Sequence, residues 1–220
     1  MATAEVAQNS QRAWWLRTVM VLHDPRSVFL ALRDESDEAE DARSEPVTAL
    51  IFLGGIAGVL LAPRFGRMRD DYALDYVDIL LIVIVAGSIY GFFSYYVLGW
   101  TLSLGVKAVG FEARAKQCRH VFGYALSPLV LSLILLWPLR LALYGGDLFR
   151  EGGSDASVMG QTLKWLCVAC AAWSASLLVY GLKTTIRLDW LRAAGASLFA
   201  VGFLALVLGA WTLIGPHSSE

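Results

Sequence analysis

Apolar positions in this chain fall into long uninterrupted blocks rather than alternating stripes. Five runs stand out, at roughly 47–63, 77–106, 121–144, 162–182 and 194–214. Each is long enough for a membrane helix, which needs about 17–25 apolar residues to cross the hydrocarbon core. A closed β-barrel would instead need shorter segments of alternating hydrophobicity. The pattern therefore predicts an all-α fold, a polytopic transmembrane helical bundle of five spans. The second run is longer than a bilayer requires, so one of its ends is expected to tilt or to emerge among the headgroups. Ionisable side chains avoid the middle of every run. Asp78 and Arg140 lie near ends, where a long side chain reaches the interface, and Arg140 is read as an end-marker at the outer interface.

Ahead of the first run, "QRAWWLRTVMVLHDPRSVFLALRDE" mixes tryptophans, aliphatics and arginines. Asp24 and Pro25 read as a helix start, an N-cap followed by a proline at the first helical position. Val28, Phe29 and Leu32 then recur at helical spacing. Two short amphipathic helices lying in the interface over residues 11–33 fit this pattern, with Trp14 and Trp15 at headgroup depth. Next comes "RDESDEAEDARSEP", with seven carboxylates between Asp34 and Glu45, read as a solvated, self-repelling linker over 34–46. It lacks the glycine and ligand spacing of a calcium loop. The chain thus divides into a cytoplasmic N-terminal region (1–46), a five-helix transmembrane domain (47–215) and a tail (216–220).

Basic residues set the expected orientation. Of the 18 lysines and arginines, 12 fall on one side if the N-terminus is inside, and six on the other. The N-terminus is expected to be cytoplasmic and the C-terminus outside, in a multi-pass protein of the cell membrane. No cleavable signal pattern is evident, so insertion is expected to use the first span itself. Composition agrees with this picture: 57% of residues are hydrophobic and 17% charged, and mean hydropathy is +0.57. A net charge of −1 argues against nucleic acid as a partner, because phosphate binding needs a concentrated basic surface.

Chemistry-bearing groups are sparse. Cys167 and Cys170 sit one turn apart in "CVAC", without the further ligands a metal site needs, and small-residue packing accounts for them better. No catalytic, cofactor-binding or metal-binding residue is nominated, and no cofactor is implied. In the second run, "GSIYGFFSYYVLGW" places Gly87 and Gly91 on one face with Tyr95, and Tyr90 with Ser94 on a neighbouring stripe. These five serve either close helix packing or a hydroxyl-lined cavity. The third run carries Pro128, whose released carbonyl Ser127, Tyr124 or Ser132 could satisfy. The loop before it holds Lys107, Arg114, Lys116 and Arg119 against one acid, Glu112. With Trp14, Trp15 and Arg17, those four are the candidates for contact with lipid headgroups. The loop "GGDLFREGGSDASVMGQ" reads as a flexible connector.

Several stretches, in this order, resemble the Yip (Ypt-interacting protein) domain family of five-span membrane proteins, and its bacterial and archaeal members in particular. "LHDPRSVFLALRDE" is similar to the segment before the family's first span, and "EPVTALIFLGGIAGVL" to that span. "GFEARAKQCRHVFGYALSPLVL" resembles the family's cytoplasmic loop leading into a Gly-Tyr-x-Leu-x-Pro segment, which here is Gly123, Tyr124, Leu126 and Pro128. The resemblance covers about residues 14–214 and implies a cytoplasmic N-terminus and no established reaction. Eukaryotic relatives contact prenylated Rab-type GTPases through an Asp-Leu-Tyr-Gly-Pro motif. This chain has no match for that motif, which argues against Rab-type GTPase binding. The expected function is that of a non-enzymatic membrane adaptor or organiser, its partners lipids, other membrane proteins or further copies of itself. The alternative is a small transporter, channel or lipid-translocating protein with a path between the second and third spans.

Overall fold

The computed structural model describes residues 2–62, 68–72 and 74–214, with side chains described for 11–62, 68–70, 72 and 74–203. Among these residues the regular structure is helical: α1 Ala2–Met20, α2 Pro25–Ala31, α3 Asp37–Leu61, α4 Met68–Tyr72, α5 Tyr76–Ala108, α6 Ala115–Ala125, α7 Ser127–Tyr144, α8 Val158–Ile186 and α9 Trp190–Ile214. Four stretches are long and apolar enough to cross a membrane: Asp37–Leu61, Tyr76–Ala108, α6 and α7 taken together through Phe149, and Val158–Ile186. The fifth apolar run is helical too, as α9, where described side chains over Trp190–Phe203 form a shorter apolar helix. The expected tail lies outside the described residues.

The acidic stretch departs from its expectation as a linker. From Asp37 onward it is the opening of α3, continuous with the first apolar run and passing through Pro46. The reason is electrostatic as well as local. Ser36 caps the helix by accepting from the Ala39 amide at 3.4 Å, and Asp37, Glu38 and Glu40 occupy the first turn, where carboxylates complement the positive end of the helix dipole. Hydrogen bonding from the Ser36 backbone to Asp34 holds that carboxyl below its usual range. Asp24 caps α2 as expected, its carboxyl lowered by hydrogen bonds from Ser27.

Helices α3 and α5 run antiparallel in the closest contact of the bundle, and glycine makes it possible. A Cβ on Gly87 would lie 2.5 Å from the Ile56 Cα, and one on Gly55 would lie 2.5 Å from the Gly91 Cα. A Cβ on Gly91 would strike the Ile51 carbonyl oxygen. Small residues at such positions let two backbones touch, which maximises dispersion contact where lipid supplies no hydrophobic drive. Gly105 does the same for α5 against α9, opposite Ala196. Gly87 and Gly91 both lie in this contact, and Tyr95 is partly buried against the larger core. Tyr90 points outward and is half exposed.

Two cores result. The larger sits at the end of the bundle that carries α1 and α2, and includes Trp14, Val21, Phe29, Val47, Leu102, Val121 and Tyr124. A smaller one at the opposite end gathers Ile79, Val83, Trp137, Leu148 and Phe149. Leu148 and Phe149 come from the stretch expected as a flexible connector. It forms short 3-10 turns at Gly145–Phe149 and Ser154–Ala156. The two apolar side chains pin it down.

Candidate functional site: a buried polar cluster beneath the N-terminal helices

The third apolar run breaks at Leu126, and the break is chemically closed. Pro128 has no amide proton to offer the Tyr124 carbonyl, and the Ser127 hydroxyl donates to that carbonyl instead, at 2.9 Å. The next amide, that of Leu129, donates to the Ser174 hydroxyl of α8 at 3.1 Å. The Tyr124 carbonyl and the Leu129 amide thus each find a side-chain partner, as an apolar surrounding demands.

The Gly-Tyr-x-Leu-x-Pro residues sit at this break, and the first three have definable contacts. A Cβ on Gly123 would fall 2.9 Å from Val47 Cγ1, so the glycine lets α6 settle onto α3. Leu126 packs against Gly54 of α3, whose added Cβ would lie 2.8 Å from Leu126 Cδ1. Tyr124 is completely buried. Its ring lies 5.9 Å from that of Trp14, and its hydroxyl donates to the Trp14 carbonyl at 3.5 Å. Pro128 is buried as well. Gly123, Tyr124 and Leu126 therefore join α6, α3 and α1.

Beside Tyr124, Arg43, His120 and Glu40 form a buried polar cluster with Lys116 at its exposed edge. Arg43, only 1% exposed, donates from Nε to Nδ1 of His120 at 2.9 Å and from Nη1 to the Asp34 carbonyl at 2.7 Å. Its second amino group faces Glu40 at 3.7 Å, and Glu40 also pairs with Lys116. Because His120 Nδ1 accepts, the ring carries its proton on Nε2. Arg17 lies over the Trp14 ring at 4.0 Å and Arg43 approaches the same ring at 5.6 Å. A buried guanidinium is tolerated only when its donors are satisfied. Here they are aimed at α6, α3 and the turn before α3 at once.

Helix α2 is latched to the same end. Thr185 of α8 donates to the Phe29 carbonyl at 3.1 Å. Arg33 donates from Nε to the Thr184 carbonyl at 3.1 Å. Gly181 leaves room for Phe29 and Val121.

Several residues proposed for headgroup contact are placed differently from expectation. Trp14 is inside the larger core, while Trp15 next to it is 40% exposed. Arg114 pairs with Glu35 at 2.9 Å and Lys116 with Glu40, so the basic loop is matched by acids contributed from the acidic stretch. Arg119 turns toward α5, over the rings of Tyr95 and Tyr96 at 5.3 and 4.9 Å, its stem lying against Gly99. Lys107 carries no ion pair among the described residues.

Sequence reasoning passed over Arg43, His120 and Glu40. The signal was there in part: Arg43 is a cation set in a run of carboxylates, three residues after Glu40, and Lys116 and His120 stand four apart on α6. Arg140 departs from its reading as an end-marker reaching outward: it is 95% buried within the protein, where Asp155 reaches it at 3.5 Å and the Trp137 ring covers it at 4.6 Å.

Long apolar helices packed through glycine contacts, with charged groups kept toward their ends, define an integral α-helical membrane protein. More narrowly, the chain belongs to the Yip1 domain family, whose model matches residues 19–212. That span takes in α2 through nearly all of α9, including the Gly123–Pro128 break. Comparison with curated proteins and with solved structures finds no match.

Proposed function

We propose that this protein is a non-enzymatic membrane organiser or adaptor whose working surface is α1, held on the N-terminal end of the bundle by the Trp14–Tyr124–Arg43 cluster. One observation carries the reading. Helix α1 buries Trp14 yet leaves a run of apolar side chains uncovered: Trp15, Leu16, Val19 and Met20 are 40–65% exposed. A helix anchored by one face and apolar on another suits the boundary between headgroups and acyl chains, or the membrane-embedded side of another protein. In this reading the N-terminus is cytoplasmic, in keeping with the distribution of basic residues. The pairing of Arg114 and Lys116 with Glu35 and Glu40 makes apolar insertion, rather than net positive charge, the main attraction.

The test places an environment-sensitive fluorophore at Leu16→Cys, in a full-length background with Cys118, Cys167 and Cys170 replaced by alanine or serine, in proteoliposomes. Quenching by spin labels carried on acyl chains, with protection from aqueous iodide, is expected. Free quenching by iodide without acyl-chain quenching would remove the lipid half of the proposal. A photo-crosslinker at the same position in native membranes then tests the adaptor half, which fails if only water-exposed, unlinked protein is recovered.

A further inference from the structure

At the end of the bundle opposite α1, a cavity of about 340 Å³ opens between the last turns of α3 and α7 and the first turns of α8. Its size falls within the range of small-molecule sites, roughly 300–1,000 Å³. Trp137 and Arg140 line it, each 95% buried. Trp137 Nε1 and Arg140 Nε are both buried without a hydrogen-bond partner. An indole N–H and a guanidinium N–H can only donate. Two buried donors left open beside a cavity call for an acceptor within it.

The charges around the cavity specify what kind. Arg140, Arg150 and Lys164 line it together with Glu151 and Asp155, Arg150 also reaching Asp147 at 4.0 Å. Asp155 is engaged by an amino group of Arg140, at 3.5 Å, which leaves the Nε edge of the same guanidinium turned elsewhere. Leu60, Leu61 and Leu148 supply apolar wall, and the cavity lies at the level where the apolar segments of three helices end. We infer that this cavity is a phosphate-type oxyanion site, its oxygens accepting from Trp137 Nε1 and Arg140 Nε and facing the Lys164 ammonium. Two sources offer that chemistry, the headgroup of a membrane phospholipid and free inorganic phosphate.

The experiment follows thermal unfolding of the purified full-length chain in detergent, titrated separately with dioleoylphosphatidylethanolamine, with dioleoylglycerol, and with inorganic phosphate. Dioleoylglycerol has the same chains and no phosphate. Trp137→Phe keeps the ring over Arg140 and removes only the donor, and Lys164→Gln removes one charge. Arg140→Gln is avoided as the main variant because it strands Asp155. Wild type is expected to show a saturable upward shift in midpoint with a phosphate-bearing probe and none with dioleoylglycerol. The apparent affinity should fall about tenfold in Trp137→Phe, the worth of one hydrogen bond to a charged acceptor. A shift with phospholipid that inorganic phosphate cannot compete away assigns the site to a lipid headgroup. A shift with inorganic phosphate alone assigns it to the free ion. Equal response to dioleoylglycerol, no response to either phosphate-bearing probe, or unchanged affinity in both variants would overturn the assignment.

Discussion

Replacing Arg43 tests whether the N-terminal helices are held by the buried cluster or merely rest on it. In Arg43→Ala the truncation opens a cavity and strands its partners: Nδ1 of His120 loses its donor at 2.9 Å and the Asp34 carbonyl loses its donor at 2.7 Å. Hydrogen bonds to a charged group contribute about 1.5–3 kcal/mol each, so two of them set a loss of roughly 3–6 kcal/mol. Breaking one side of a buried ionic arrangement costs about 3–5 kcal/mol by independent measure, and the two ranges overlap. Arg43→Lys keeps the charge but replaces the planar fork with a single point donor. It cannot serve α6 and the turn before α3 together, and about half the loss is expected. Reversible unfolding of the full chain in mixed micelles, followed by tryptophan fluorescence and helix content, reads the difference directly. Limited proteolysis adds the local readout, since release of α1 and α2 should expose the chain near residue 24 before the spans unfold. A loss under about 1 kcal/mol in Arg43→Ala, or Arg43→Lys equal to wild type, would refute the reasoning.

Two other substitutions follow from the same geometry. Gly87→Ala places a methyl against the Ile56 backbone, and because backbone cannot swing aside, destabilisation of about 2–3 kcal/mol or a displaced α3–α5 contact is expected, measured by unfolding and by cysteine crosslinking across the pair. Ser174→Ala removes the acceptor of the Leu129 amide; a buried unpaired N–H costs about 1–3 kcal/mol, while Ser174→Thr should retain most of the stability, and equal unfolding of all three proteins would mean the break at Leu126 is satisfied some other way.

Much of the architecture was legible from the chain because lipid makes composition informative. A run without charge has few alternatives to a helix in hydrocarbon, so the apolar runs, the α2 start at Asp24 and Pro25, and the glycine face of α5 could be read locally. The family membership was legible in the residues from Gly123 to Pro128. The acidic stretch was harder. Its carboxylates look like linker when read for repulsion, and like a helix start only when the cap at Ser36 and the dipole are weighed together.

What the sequence determined alone is the set of helices and their tolerance for lipid, properties fixed by each segment's own hydropathy, caps and small residues. Tertiary structure decided which polar groups meet. Arg43 and His120 are 77 residues apart, and Trp14 and Tyr124 are 110 apart; no periodicity links such positions. Their pairing exists because glycine contacts bring α3 onto α5 and α6, which shuts water away from the end of the bundle. Once water is gone, each charge must find a protein partner. The same physics buries Arg140 at the far end and leaves its Nε, with Trp137 Nε1, buried without a partner beside a cavity.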